Sequence, residues 1–420
     1  MHILVVTDQH PASLGGAQVA IRTQRAALER LGHRVSIAAP ALHRRGYVAT
    51  AEDRAAYIDL PSMPITTDRE YALSWPSRRT DRALAAALRS RPPVDLVHVQ
   101  GDFWGAMIGL RAARGLNAAR RLEAARGSTP TRRPRVPLVF TMHNNVDHGT
   151  RAVTPLAPFA FLGLRAWRSL SLGRARGTMS PRAHGAWRYL AELAAEADAV
   201  IAPSQHFANQ LERHGVADRV EVVRGGVDDA VIERMRSSPR TERERPKLIW
   251  LGRMSHEKRV LEFIEALARS GVNADATLYG AGLLLRRVQE RVAQLGLQDR
   301  VVVAGPVPHG EALAAIRDAD ALVQTSIGFE TQGLTPFEAA LLGTPTIFSD
   351  PLIAHDAAIT PSWLVADPSV DALATTLREA VDAIARAPRE LRVDDAVTRG
   401  FLQSEQTKLL VEIYERVLSE

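Results

Sequence analysis

The strongest constraint on the fold is an alternation of short apolar segments and amphipathic segments that occurs twice along the chain. Runs such as His2–Thr7, Asp95–Gln100 and Lys247–Leu251 have the length and composition of β-strands. Several strands are apolar on both faces, whereas a strand with one face in water alternates apolar and polar residues. Stretches with helical periodicity separate them. The pattern therefore predicts α/β architecture, with doubly wound parallel sheets covered by helices on both sides.

The alternation is interrupted once, which predicts two domains. A chain of 420 residues is long for a single compact core. We expect a Rossmann-like N-terminal domain over residues 1–230, a charged, proline-containing linker over 231–246, and a second domain over 247–400. Ligands of such sheets bind at the carboxyl ends of the strands, so two sheets that face each other would form a central cleft.

Two candidate sites follow strands of the first domain. Gly15 and Gly16 lie between the first strand and its helix, where they permit either a sharp turn or close approach to a phosphate or sugar. An NAD site is disfavoured, because the glycines are adjacent and the second strand ends at Pro40 without an acidic residue. His143 begins a polar run at the end of another strand, which suits either a buried histidine or a ligand contact.

The segment 326–350 carries the most informative pattern of the second domain. Thr335, Pro336 and Glu338 have the spacing of a capping box that begins a helix at Thr335. Alternatively, Glu330 and Glu338 frame a loop whose free backbone amides attract phosphate. Carboxylates beside such amides suit a molecule in which phosphate is flanked by two polyols, as in a nucleotide sugar.

Arg253 and Lys258 follow the first strand of the second domain, five residues apart across a turn. They are either solvated surface charges or a binding site for a diphosphate. In such a site the guanidinium would donate two parallel hydrogen bonds and the ammonium would act as a point charge. Lysine is rare in this chain, so the position of Lys258 is informative. The lysines are Lys247, Lys258 and Lys408.

Composition excludes several classes of function. The chain has no cysteine, which excludes disulfides, thiolate metal sites and a cysteine nucleophile, and fits a reducing compartment. We expect no signal peptide and no membrane span, because the start is a strand and no apolar run reaches about 18 residues. These features predict a cytoplasmic protein. No metal site or cofactor is predicted from the spacing of acidic residues and histidines.

Charge is distributed unevenly along the chain. Residues 1–200 contain 28 arginines, no lysine and 15 acidic residues, a net charge of +13, and the remainder carries −7. Arginines concentrate in a basic loop over 111–135 and in residues 151–188, which contain no acid. Three interpretations remain open: a solvated surface, an anionic acceptor, and peripheral attachment to the inner face of an anionic membrane. Nucleic acid is not an expected partner, because no RNA- or DNA-binding module is present.

Taken together, the motifs resemble those of the retaining glycosyltransferases with the GT-B fold, a family that includes sucrose-phosphate synthases and bacterial mannosyltransferases. The resemblance covers nearly the whole chain. It rests on Gly15-Gly16, His143, Pro203-Ser204, the segment 225–228, Gly252-Arg253 with Lys258, the segment 279–282, and the segment from Glu330 through Glu338.

The resemblance implies a role for each candidate residue. The N-terminal domain, joined by a returning helix at 401–420, would bind the acceptor, and the C-terminal domain would bind a UDP-, GDP- or other nucleotide-sugar donor. The catalytic set would be His143, Glu330, Arg253 and Lys258. The donor-binding set would be Gly15, Gly16, Arg253, Lys258, Gly333, Leu334, Thr335 and Glu338.

The chain departs from the family pattern at two places. Thr331 and Gln332 precede Gly333 where relatives often have Gly-Phe, so contacts to the donor sugar are expected to differ near Gln332. Arg224 replaces a usual asparagine before the Gly-Val-Asp element. Besides transfer, the motifs leave open a non-catalytic scaffold that binds a partner through the basic half, and a GT-B-fold epimerase or phosphorylase.

Overall fold

The computed structural model describes residues 1–126, 135–153, 156–175, 179–237, 244–387, 391–394 and 398–420. The chain divides into two compact units: Met1–Gly225 with Gln406–Glu420, and Gly226–Glu405. Helix α9, Asp229–Ser237, occupies the start of the predicted linker, and its Ile232 is buried in the second unit. Residues 231–237 are therefore part of that unit, and 238–243 lie outside the described residues.

The first unit is built on a sheet of seven parallel strands in the order β3-β2-β1-β6-β7-β8-β9. A separate antiparallel pair is formed by β4 and β5. The strands are β1 His2–Thr7, β2 Arg34–Pro40, β3 Tyr57–Leu60, β4 Met63–Pro64, β5 Ala72–Leu73, β6 Leu96–Gln100, β7 Leu138–Thr141, β8 Ala199–Ala202 and β9 Glu221–Val222.

Helices cover both faces of this sheet. They are α1 Gly16–Arg30, α2 Ala51–Ala56, α3 Arg78–Arg89, α4 Trp104–Ala125, α5 Val146–Val153, α6 Ala157–Leu172, α7 Gly185–Ala194 and α8 Gln205–Arg213. The final helix, α16, spans Gln403–Ser419. Its Leu410 and Tyr414 pack against Ile3 and Val5, whereas Leu4, between those two residues of β1, joins the core on the opposite face. This alternation explains why β1 is apolar throughout.

The second unit contains a sheet of six parallel strands in the order β12-β11-β10-β13-β14-β15. The strands are β10 Lys247–Leu251, β11 Asp275–Tyr279, β12 Val301–Gly305, β13 Ala321–Gln324, β14 Thr346–Phe348 and β15 Ser362–Leu364. The helices are α10 Val260–Ser270, α11 Leu285–Gln294, α12 His309–Arg317, α13 Leu334–Leu341, α14 Pro351–Ala357 and α15 Val370–Arg386, with 3₁₀ turns at His256–Lys258 and Arg399–Phe401. The predicted pair of doubly wound parallel-sheet domains is confirmed.

Both sheets have a point at which the strand order reverses, between β1 and β6 in the first unit and between β10 and β13 in the second. The connections from the two neighbouring strands leave in opposite directions there, which opens a crevice at the carboxyl ends of the strands. The loops after β1, β6, β10 and β13 are therefore where a ligand site is expected.

The basic segment at 111–135 is not the loop that we expected. Residues 104–125 form one helix, α4, and its arginines make internal bonds. Arg111 donates to Asp81 and to the Ser171 carbonyl, and Arg114 donates to Glu196. Residues 127–134 lie outside the described residues. Within the ranges that are described, no helix has both the length and the apolar character needed to cross a membrane.

Candidate donor and sugar sites

The loop after β10 is held by close backbone contacts with the loop after β11. Gly252 N donates to the Tyr279 carbonyl at 3.1 Å, and Met254 N donates to the Ala281 carbonyl at 2.8 Å. A Cβ atom at Gly280 would lie 1.9 Å from the Gly252 carbonyl oxygen, so only glycine allows this approach. The glycines at 280 and 252 thus fix the path of the chain that carries Arg253.

Lys258 lies at the end of the 3₁₀ turn, and its ammonium forms a short ion pair with Glu330 Oε1. Both side chains are largely shielded from solvent. The Thr325 hydroxyl, after β13, donates to the Lys258 carbonyl and accepts from Trp250 Nε1 at 2.9 Å. The two strands beside the point of reversal therefore hold Lys258 and Glu330 together.

Glu330 is bonded on a second side. Its Oε1 accepts from the Ser326 hydroxyl at 2.9 Å. The carboxyl carbon also lies 3.8 Å from the position that a Cβ atom would take at Gly333, the residue before α13. Glu330 is thus fixed between the Lys258 ammonium and the amino end of a helix.

Arg253 differs from Lys258 in its surroundings. Its side chain is exposed, and its guanidinium makes no hydrogen bond or ion pair with the described part of the chain. The guanidinium is therefore available to a ligand, whereas the ammonium is already paired.

The capping box predicted at Thr335 is wrong. Helix α13 begins one residue earlier, at Leu334, with Gly333 as N-cap at a φ of 74°, and no side chain caps it. Thr335 and Pro336 are therefore inside the first turn. Gly333 replaces Thr335 as the N-cap because its positive φ lets the chain enter the helix without a side-chain cap. Gly333, Leu334 and Thr335 present the amino end of the helix, where the macrodipole is positive and attracts anions.

Glu338 does not turn back to its own helix. It is buried, and its Oε1 lies 2.6 Å from Nε2 of His309, the first residue of α12. This contact with His309 argues against a role for Glu338 as a capping residue of α13. His309 was not identified from the sequence, since nothing local relates it to a glutamate 29 residues further on. Gln332, in the segment that departs from the family pattern, is also buried.

In the first unit, Gly15 is the N-cap of α1 at a φ of 136°, and Gly16 is its first residue. Both glycines are exposed. The neighbouring Leu14 N donates to Glu70 at 2.7 Å, which fixes the turn. Gly15 and Gly16 therefore present backbone at the carboxyl end of β1, as a contact to a phosphate or sugar requires.

His143 follows β7, and its Nε2 lies 3.2 Å from Gln100 Oε1, at the end of the neighbouring β6. Burial lowers the pKa of His143 to about 4, so the imidazole is neutral at pH 7. A neutral imidazole can accept or donate a hydrogen bond to a sugar hydroxyl without adding charge.

The turn that begins at His143 is held by Asp102, a residue that the sequence analysis missed. Asp102 Oδ2 accepts from the backbone nitrogens of His143 and Asn144 at 3.1 and 2.8 Å, and from Asn144 Nδ2 at 2.7 Å. Burial, together with the charge of Asp8, raises the pKa of Asp102 to about 7. Asp8 in turn accepts from the Asp102 backbone nitrogen at 2.7 Å. Asp8 and Asp102 follow β1 and β6, the strands that flank the reversal point. Their positions after these strands could have identified them from the sequence as candidate site residues.

These contacts sort the sequence-predicted residues into two groups. Lys258, Glu330 and Gly333 meet in the second unit, and Arg253, Leu334, Thr335 and Glu338 lie on the loops and helix around them. His143 and the glycine pair lie at strand ends of the first unit. Within the described ranges, no group of three or more histidines and acidic residues could hold a metal ion.

Comparison with known proteins identifies the family to which this chain is similar. The sequence profile of Glycosyltransferase Family 4 matches residues 14–231, and that of glycosyl transferases group 1 matches residues 231–389. The alpha-monoglucosyldiacylglycerol synthase of Streptococcus pneumoniae is 24% identical over 365 residues, 83% of this chain and 70% of that protein. The 2-deoxystreptamine glucosyltransferase of Streptomyces kanamyceticus is 28% identical over 345 residues, 79% of this chain and 80% of that protein.

Solved structures share the fold along the whole chain. The catalytic domain of starch synthase IV from Arabidopsis thaliana, bound to ADP and acarbose, has a TM-score of 0.67 at 15% identity and covers 100% of both chains. The sucrose-phosphate synthase of Thermosynechococcus elongatus has a TM-score of 0.66 at 17% identity, with 100% of this chain and 99% of that one covered. With the profile of the family matching more than half of its residues, this chain belongs to Glycosyltransferase Family 4 and is a glycosyltransferase with the GT-B fold.

Proposed function

We propose that this enzyme transfers a hexosyl-type sugar from a nucleotide-diphosphate donor to a hydroxyl acceptor, with retention at the anomeric carbon and without a metal ion. The observation that carries the donor assignment is the Lys258–Glu330 pair beside the uncapped amino end of α13. An ammonium and free helix amides at one strand end suit a diphosphate, and the carboxylates beside them suit hydroxyl groups.

Each residue has a defined task in this proposal. Arg253, Lys258 and the amides of Gly333, Leu334 and Thr335 bind the diphosphate and stabilise the charge that builds on it as the sugar leaves. Glu338 binds the ribose hydroxyls, for which its bond to His309 sets the orientation.

Residues of each unit have a proposed role toward the transferred sugar. Glu330 accepts from a sugar hydroxyl while Lys258 and Ser326 hold it. Neutral His143 bonds the sugar without competing for the diphosphate, and Gly15 and Gly16 admit it close to the backbone. Because Glu330 is already engaged, we favour attack on the front face, with the leaving phosphate taking the acceptor's proton, over a carboxylate nucleophile.

Relatives support a nucleotide-sugar donor and suggest two classes of acceptor. Among proteins of similar fold, the Anabaena protein HepE is seen with UDP and glucose, and starch synthase IV with ADP. By name, one relative synthesises a glucosyl diacylglycerol and the other acts on 2-deoxystreptamine. The arginine-rich first unit favours an anionic or membrane-associated acceptor, so we propose a cytoplasmic enzyme that attaches peripherally to the inner membrane face.

The central test replaces Lys258 by alanine. We expect kcat/KM to fall by roughly 100-fold or more, because the charge on the departing diphosphate loses its ammonium partner. A screen of UDP- and GDP-sugars that measures released nucleotide identifies the donor first. Lys408→Ala, which removes the same charge from the exposed surface of α16, is the matched control and should keep full activity. Normal transfer by Lys258→Ala would refute the site.

Glu338→Gln tests the ribose contact separately. Loss of a charge-assisted hydrogen bond predicts donor binding weaker by about tenfold, measured by calorimetry, with the fold retained. Wild-type protein that binds no nucleotide at millimolar concentration would instead favour a non-catalytic scaffold.

A further inference from the structure

Helix α6 presents an apolar stripe to solvent. Phe159, Leu162 and Leu170 are 70%, 58% and 88% exposed. Together with Ala166, these residues recur at three- and four-residue steps and so occupy one side of the helix, here called the α6 face. The other exposed positions near this stripe are Pro158, Gly163 and Ser169, so the α6 face carries no charge. A contiguous apolar surface of this kind marks an interaction site.

The opposite side of the same helix carries the charges. Arg168 is fully buried, donates to the Gly173 carbonyl at 2.7 Å and pairs with Glu196 at 3.5 Å. Arg165 pairs with Glu192 at 2.9 Å. These bonds fix the rotation of α6, with Arg168 inward and the apolar stripe outward. Burying a large apolar side chain is worth about 1.5–3 kcal/mol, and the exposed stripe forgoes that stabilisation in water.

Aromatic and basic groups border the α6 face. Exposed Trp75 packs on Trp167 of α6, with ring centroids 5.1 Å apart, and tryptophan favours the boundary between apolar and aqueous phases. Arg78 and Arg79 follow Trp75 and are exposed. Exposed Arg151 precedes one end of α6 in the sequence, where Asp147 pairs with it at 2.9 Å. Exposed Arg174 follows the other end.

Charge decides which occupant fits this surface. A second copy bound symmetrically would bring the same arginines together, at a cost in repulsion. An anionic lipid surface instead offers acyl chains to the apolar stripe and negative headgroups to the arginines around it.

We propose that the α6 face and Trp75 dock the enzyme on anionic lipid. The inference deepens the proposed function, since it assigns the residues by which the enzyme would reach a membrane-associated acceptor. Docking is nevertheless measurable without donor, acceptor or turnover.

Co-sedimentation of the full chain with vesicles tests the proposal. We expect binding to vesicles containing phosphatidylglycerol, weaker binding as salt screens the arginines, and little binding to pure phosphatidylcholine. The double variant Phe159→Ser/Leu170→Ser should partition roughly tenfold or more less strongly. Leu283→Ser is the matched control, because Leu283 is 97% exposed in the second unit, and it should bind like wild type.

Three outcomes would overturn the proposal: no binding of wild type to anionic vesicles, equal binding by the double variant, or self-association that the double variant abolishes while vesicles remain unbound. Unfolding temperatures serve as the folding check, because the substituted side chains are exposed. If vesicle binding fails while Lys258-dependent transfer persists, the docking surface is wrong and the proposed function stands. If the protein binds vesicles but transfers no sugar, the docking surface stands and the proposed function is wrong.

Discussion

At the scale of single residues, the buried carboxylate of Asp102 organises the turn that carries His143. Three hydrogen bonds from that turn end on one oxygen of Asp102, and the other oxygen is buried with no hydrogen-bond partner in the described part of the chain. An unpaired buried oxygen favours the protonated form, in agreement with a pKa raised by burial to about 7. Asp102 is a positioning residue, because it acts through His143 and Asn144.

Replacing Asp102 tests this role. Asp102→Ala removes all three acceptor contacts, and we expect kcat/KM to fall about 10- to 100-fold as His143 loses its position. Asp102→Asn resembles the protonated acid and should retain activity within about threefold, since an amide oxygen still accepts.

The pH–rate profile gives the decisive measurement. In wild type, Asp102 ionises near pH 7, and Asp102→Asn should remove that step from the profile. An unchanged profile in the asparagine variant would show that Asp102 only fills space. Asp102 escaped detection in the sequence because its partner nitrogens lie about 40 residues away, and only the alignment of β6 with β7 brings them together.

At the scale of elements, the carboxyl ends of β10 and β11 are joined so closely that side chains are excluded. Gly280 and Gly282 both adopt positive φ, and a Cβ atom at Gly282 would lie 2.4 Å from the Met254 carbonyl oxygen. The segment Tyr279–Gly282 was recognised as a family motif, but its physical role is packing between loops. This segment packs against the loop after β10, which contains Arg253 and Lys258.

Gly280→Ala tests that role. The new methyl group must displace the Gly252 carbonyl, so we expect destabilisation of about 2–4 kcal/mol and weaker donor binding. Gly310→Ala is the control for unfolding, since Gly310 lies in α12 with open space around it and alanine favours helices. Thermal unfolding and calorimetry measure both effects. Similar stability in the two variants would contradict the close packing of these loops.

At the scale of the whole molecule, the end of the chain completes the core of the first unit. Tyr414 of α16 is buried, and its hydroxyl lies 2.6 Å from His98 Nδ1 on β6. The other ring nitrogen lies 2.7 Å from the Thr141 hydroxyl. His98 therefore joins α16 to two neighbouring strands through a neutral imidazole, and burial lowers its pKa to about 3.

This burial links stability to pH. In the unfolded chain His98 takes up a proton below about pH 6.5, whereas in the folded state it stays neutral to about pH 3, so its contribution is lost as pH falls. Between pH 7 and 5 the advantage of wild type over His98→Gln should shrink by about 2 kcal/mol. Urea denaturation at both values measures it. A difference that is independent of pH would show that His98 is not neutral in the fold.

The sequence by itself determined the local elements and the type of fold. β1 and β10 have the bounds that their apolar runs predicted, and several candidate residues follow strand ends, because hydrophobic period and backbone sterics are properties of short segments. Profile matches support the same architecture. A boundary such as that of α13 was less predictable, because a glycine conformation and a capping sequence competed for the same turn.

Only the tertiary structure decided which groups meet. Glu338 binds His309, Asp8 contacts Asp102, and His98 binds Tyr414, across separations that no local pattern encodes. It also decided that Arg168 of α6 points inward, because Glu196 of a later segment pairs with it there. Hydrogen bonds and ion pairs form between groups that burial brings within about 3 Å, and that proximity follows from sheet register and packing rather than from sequence spacing.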